Sequence, residues 1–155
     1  MRRAAVLFSA GLTLFAIRLP AAQTAIDHPL AGHWTADLSR STLHPNAQVQ
    51  ATTLRFAVLG DTVSVTESVI SPSGQEQGHG TSTFQTDGQP HPHDELLPGL
   101  IVVAKWSNPR TLDTVLTRRD GHVDHVTYQV SPDGKTLITT TAGDLGNQII
   151  VFDRR

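Results

Sequence analysis

Two histidines and an aspartate crowd one short segment of the chain, His91-Pro92-His93-Asp94. Imidazole and carboxylate together suit zinc or copper, so a divalent metal is one chemistry this segment suggests. Two histidines separated by a single proline make an incomplete ligand set with little freedom to converge. The expectation is therefore no bound metal and no other cofactor, with His91, His93 and Asp94 left as the weakest option, an enzyme on this scaffold. His122-Val123-Asp124-His125 falls at a turn and a strand start, and its two imidazoles face opposite sides, as solvated surface residues do. No G-x-S-x-G elbow, phosphate-binding loop or dinucleotide fingerprint occurs. The chain has no cysteine, which excludes disulfides, thiolate zinc, iron–sulfur clusters and a thiol nucleophile. No catalytic residue is assigned.

A different signal is charge placed on apolar strand faces. In Thr62–Ile70 (TVSVTESVI), Glu67 shares a face with Val63, Val65 and Val69. Lys105 shares a face with Ile101 and Val103, and Asp124 with Val126 and Tyr128. An unpaired buried charge costs several kcal/mol, so such residues either pair, hold a polar ligand group or reach water at a rim. If these faces line a cavity, Glu67 and Lys105 are candidates to pair or to fix a ligand's polar end. Phe56, Val63, Val65 and Tyr128 are then candidates for its apolar wall, alongside Phe84 and Trp106, which core filling also explains.

The elements that must position these residues are strands. Turn-forming clusters such as Ser71-Pro72-Ser73-Gly74, Asp120-Gly121 and Ser131-Pro132-Asp133-Gly134 punctuate the sequence at short intervals. Between them, segments rich in Val, Ile, Thr and Phe alternate polar and apolar residues with a period of two. The predicted strands are 32–38, 52–59, 62–70, 79–86, 100–107, 112–119, 122–130, 135–142 and 147–154. About nine short antiparallel strands without helical periodicity predict an all-β, single up-and-down β-barrel, with a β-sandwich as the alternative. Closure is favoured because it removes unpaired edges. Asp87–Gly99, with three prolines, is expected to be a loop or lid across one end, and 40–49 an irregular link between the first two strands.

The 155 residues also divide by composition. Arg2 and Arg3 precede a 14-residue apolar run, Ala4–Ile17, ended by Arg18 and Pro20 and followed by small residues. That is the pattern of a secretory signal peptide, too short to span a bilayer. Residues 1–25 are read as this leader, with cleavage between Ala22 and Ala25, and 26–155 as the barrel domain. Without the leader's three arginines, nine basic residues face fourteen acidic ones, a formal net charge of −5. Such a domain repels phosphate and anionic surfaces, so neither nucleic acid nor, after signal cleavage, a membrane is an expected partner. The expected location is periplasmic or secreted.

Particular motifs sharpen this reading. Gly32-His33-Trp34 opens the first strand, Asp37-Leu38-Ser39-Arg40-Ser41 follows, Ser131–Leu137 reads SPDGKTL, and the tail is Val151-Phe152-Asp153-Arg154. In that order, with Asp87–Pro92 between them, they resemble a family of small exported bacterial lipocalin-like proteins of the calycin type, whose function is uncharacterised. The resemblance covers nearly all of 30–155. It implies that Trp34 closes one barrel end, that Arg154 or Arg155 stacks across it, and that Gly32 permits close backbone approach. The function it suggests is an exported, non-enzymatic binding protein holding a small, mainly apolar ligand in the lumen. The alternative is a protein-binding module, an inhibitor or envelope accessory factor, with a packed barrel and contacts through loops 40–50 and 87–99.

Overall fold

A computed structural model describes residues 28–144 and 146–155. The predicted leader, residues 1–25, lies outside the described residues. Ten strands follow one another: β1 (Gly32–Thr42), β2 (Ala51–Leu59), β3 (Thr62–Ile70), β4 (Glu76–Gln85), β5 (Asp87–Pro92), β6 (Ile101–Asn108), β7 (Thr111–Thr117), β8 (Val123–Val130), β9 (Thr136–Gly143) and β10 (Gln148–Arg154). They form one antiparallel sheet in the order β4-β3-β2-β1-β10-β9-β8-β7-β6-β5. Sequence neighbours pair as a meander, and β1 pairs with β10 to join the first and last strands. The sheet curls into an up-and-down barrel whose seam lies between β4 and β5, which are not hydrogen-bonded neighbours.

The alternation seen in the sequence sets the two faces. On β2, Thr52, Leu54, Phe56 and Val58 point inward and are buried, while Thr53, Arg55 and Ala57 face out. On the outer surface Arg40 bridges β1 and β10, donating to Asp37 and to Asp153 at 2.6 Å each. The Ser39 hydroxyl and the Arg40 guanidinium hold the Asp37 carboxyl down at about 2. Such exposed pairs fix register more than they add stability.

One expected loop is a strand. Asp87–Pro92 pairs with β6, Pro90 opposite Val103 and Pro92 opposite Ile101. Proline is tolerated there because β5 is an edge strand, where a missing N–H falls on the unpaired side. The irregular stretch shrinks to 93–100, and the barrel has ten strands rather than nine. Thr86 alone separates β4 from β5, its amide and hydroxyl both bonded to the Asp61 carbonyl in the β2–β3 turn. Similarly, β1 runs on to Thr42, so the link to β2 is residues 43–50, without a helix.

The two halves of the barrel are filled differently. Around the turns at 59–62 and 131–135, Leu30, Trp34, Phe56, Val63, Leu112, Leu137 and Phe152 pack into a contiguous core, each nearly or wholly buried. Towards the opposite rim, bounded by the loops at 43–50, 71–75 and 118–122, inward side chains such as Val65, Gly78, Gly80, Ser82, Val126 and Thr139 are smaller and the interior is open.

Candidate functional site

The closed end is built from three residues the sequence singled out. Trp34 is fully buried, and its indole N–H donates to the Leu30 carbonyl at 3.0 Å. Arg154, its cross-strand partner, lies with its guanidinium 4.1 Å from the centre of the indole ring. The same guanidinium donates to the carbonyls of Gly134 (2.6 Å), Ala31 (2.7 Å) and Pro29. An arginine that stacks on an aromatic face while its fork satisfies several carbonyls ties otherwise separate segments together. Gly32 completes the arrangement: its φ is +132°, and a Cβ there would stand 2.7 Å from Arg154 Nη1. Of the two arginines implied, Arg154 takes the stacking role. Arg155 lies outside, donating to the Thr35 hydroxyl at 3.3 Å.

Above this plug lies a cavity of about 480 Å³. Its wall is mostly apolar, with Leu54, Val65, Leu116, Val126 and Ile150 among the lining residues, and Tyr128, Thr139 and Glu67 supplying polar groups. A further hollow of about 270 Å³ shares Leu116, Val126, Thr141 and Gln148 with it and extends to Arg118 and Asp124 at the rim. There Arg118 Nε lies 3.6 Å from the buried Asp124 carboxylate.

The structure distributes the predicted ligand-binding residues over three places. Val65, Glu67 and Tyr128 line the cavity. Phe56 and Val63 belong to the packed core beneath it, with Phe56 meeting the Tyr128 ring edge-on at 5.3 Å between centroids. Lys105 is on the outside: Val102, Ala104 and Trp106 point inward on β6, and the exposed Lys105 chain lies over Gly88. Because β6 is apolar on both faces (IVVAKW), alternation alone could not say which face was inner. Lys105 and Glu67 are therefore not a pair.

The histidine segment does not converge either. His91 Nε2 is 3.0 Å from Asp87, His93 Nδ1 is 2.8 Å from Glu95, and Asp94 accepts the Gly99 amide at 2.6 Å. His93 is buried against Phe84, and its amide bonds the Leu100 carbonyl, so it anchors the 93–100 loop. That loop carries Leu96 to the cavity wall. Among the described residues no group of three or more His, Asp or Glu side chains is placed to hold a metal ion.

Sequence reading missed the wall contributed by β4 and β9. Gly78, Gly80 and Ser82 line the cavity opposite β8 and β9, yet nothing in a glycine-rich edge strand announces a binding surface. Thr139 and Thr141 sit in the run Thr139-Thr140-Thr141, where identical residues hide the alternation.

Glu67 gives the cavity its electrostatic character. Water reaches its side chain through the mouth, yet burial pushes its carboxyl above the ordinary range. Tyr128 is raised as well, first by burial and then by the Glu67 charge. In register with Glu67, β2 offers Leu54 and β4 offers Gly80, neither of which is charged. A raised folded-state value means that folding holds this proton more tightly than the unfolded chain does. The group's contribution is then fully present below the usual carboxylate value of about 4.5 and is lost as pH rises through the raised one. Glu67→Gln should melt increasingly above the native protein as pH rises from about 4 to neutrality. A melting-temperature difference that stays flat over that range would show that the carboxyl titrates normally.

No family model matches the chain, and no curated protein sequence matches it. Solved structures do match in fold. The fluorescent protein UnaG aligns with a TM-score of 0.61 at 15% identity, over 81% of this chain and 97% of its own. A fatty acid binding protein of Schistosoma mansoni, solved in complex with arachidonic acid, aligns at 0.57 and 14% identity, over 82% and 96%. Secretory abundant heat soluble protein 4 of Ramazzottius varieornatus aligns at 0.56 and 17% identity, over 83% and 96%. At these identities the likeness is one of architecture: the chain shares its up-and-down β-barrel fold with these proteins.

Proposed function

We propose that this protein is an exported, non-enzymatic binding protein that holds a small, mainly apolar molecule in its lumen. The observation that carries the reading is the half-hollow barrel, a cavity of about 480 Å³ above a packed and plugged end. That volume is within the range of roughly 300–1,000 Å³ common for small-molecule sites, and the wall is apolar with a few polar groups, as such sites are. Burial of ligand surface would drive binding at about 25 cal/mol per Å², before the entropic cost of association. Architectural neighbours that are binding or transport proteins by name lend this reading support. The rival, a protein-binding module with a solid barrel, is disfavoured by the cavity. The apolar run before Arg18 supports export, with residues 1–25 removed and the domain released to the periplasm or medium.

Native mass spectrometry of the purified protein, followed by titration with the neutral dye Nile red, tests the lumen. A stoichiometric adduct, or saturable one-to-one dye binding that an apolar competitor reverses, is expected. An apo mass together with no saturable dye binding would overturn the reading.

A further inference from the structure

The charges that face the lumen do not suit a carboxylate ligand. None of the nine basic residues of 26–155 lines the larger cavity. At the rim, Arg118 is turned towards Asp124, so its charge is largely offset before a ligand arrives. His79 borders the cavity, but β4 points Gly78, Gly80 and Ser82 inward, and the His79 imidazole lies 3.2 Å from Glu76. Among the described residues, the one ionisable group projecting into the larger space between rim and core, apart from the phenol of Tyr128, is the Glu67 carboxyl.

The space beside that carboxyl is also vacant. Gly80 faces Glu67 across the β3–β4 ladder, and a Cβ placed on Gly80 would meet nothing within 4 Å. Thr139 and Ser82 bring hydroxyl groups to the same cavity, and Tyr128 stands close enough to feel the Glu67 charge. The cavity thus combines a single acid with hydroxyl oxygens able to accept hydrogen bonds, and leaves room beside the acid for a small head group.

From this geometry we infer that the lumen selects an apolar molecule ending in an amine, with the Glu67 carboxyl receiving the ammonium group beside Gly80 and the hydroxyls of the cavity wall available to accept from it. An ammonium is a compact cation with donors only, and this pocket presents acceptors and an acid. A carboxylate ligand would meet a like charge with no cation within the cavity to offset it. A cation at contact favours the charged carboxylate that burial disfavours.

The inference rests on the lumen reading above, and its test separates the two. Dodecylamine, dodecanol and dodecanoate share one chain and differ in the head group. Each is titrated below its micelle concentration, at neutral pH, against Nile red bound to the native protein and to Glu67→Gln. Dodecylamine should displace the dye at about tenfold lower concentration than dodecanoate, with dodecanol between them, and Glu67→Gln should bring the amine close to the alcohol. Dodecanoate displacing as well as the amine would overturn the inference and leave the lumen reading intact. An amine preference unchanged in Glu67→Gln would likewise overturn it, by removing the acid from the site. No saturable binding by the dye or by any of the three would overturn both readings together.

Discussion

Trp34→Ala is expected to cost about 3–5 kcal/mol and to lower the melting temperature by roughly 10–20 °C. The side chain is 0% exposed, so its removal leaves a cavity as well as forfeiting transfer energy. It also strands the Leu30 carbonyl, which accepts from the indole, and strips the ring from beneath the Arg154 guanidinium. Trp34→Phe separates these effects: it keeps an aromatic face for Arg154 but deletes the N–H, and should cost about 1–2 kcal/mol. Thermal unfolding followed by far-ultraviolet circular dichroism checks both. A shift of only a degree or two for the alanine variant would show that the plug is not what holds the closed end.

Thr141→Trp is expected to weaken ligand binding by roughly tenfold or more while leaving stability nearly unchanged. Thr141 and its cross-strand partner Val126 border both the main cavity and the hollow that leads to the rim. An indole at this position occupies the space a ligand would pass through or fill. Overpacking a dense core is costly, but this interior is open, so little needs to move. Nile red titration alongside a thermal melt reads the two quantities independently. A variant that melts normally and still binds dye with native affinity would place the ligand elsewhere than the lumen.

Much of the architecture was legible in the residues because the strands that mattered most are polar on one face only. TVSVTESVI declares its inward set, and the structure puts Val63 and Val65 inside and buries them, with Glu67 open to the lumen. The stack of Arg154 on Trp34 was implied by the family resemblance carried by Gly32-His33-Trp34 and the Val151–Arg154 tail, which left Arg154 and Arg155 both open, and the pairing of the first and last strands selects Arg154. β6 was ambiguous because both its faces are apolar, and that placed Lys105 on the wrong side. β5 was read as a loop because prolines exclude a strand interior, a rule that lapses at the edge of a sheet. The cavity could not be read at all. Whether Phe56 and Val63 touch a ligand or each other's neighbours depends on how far the core extends up the barrel, and periodicity carries no such depth information.

The seam between β4 and β5 has a consequence for how the barrel comes together. It divides the sheet into a block of β1–β4 and a block of β5–β10, each a run of hairpins between strands adjacent in sequence. Hairpins close short loops and form early, whereas pairing Trp34 with Arg154 joins residues 120 apart and carries the larger loss of chain entropy. Among the described residues, the ladder between β1 and β10 is the one place where the two blocks share sheet hydrogen bonds. The slow event in folding should therefore be the docking of two preformed half-barrels along that ladder, with Trp34 and Arg154 as its latch. Val65 and Glu67 in one block and Val126 and Tyr128 in the other line the same cavity, so a ligand held there would keep the halves together and raise the apparent stability of the whole by mass action.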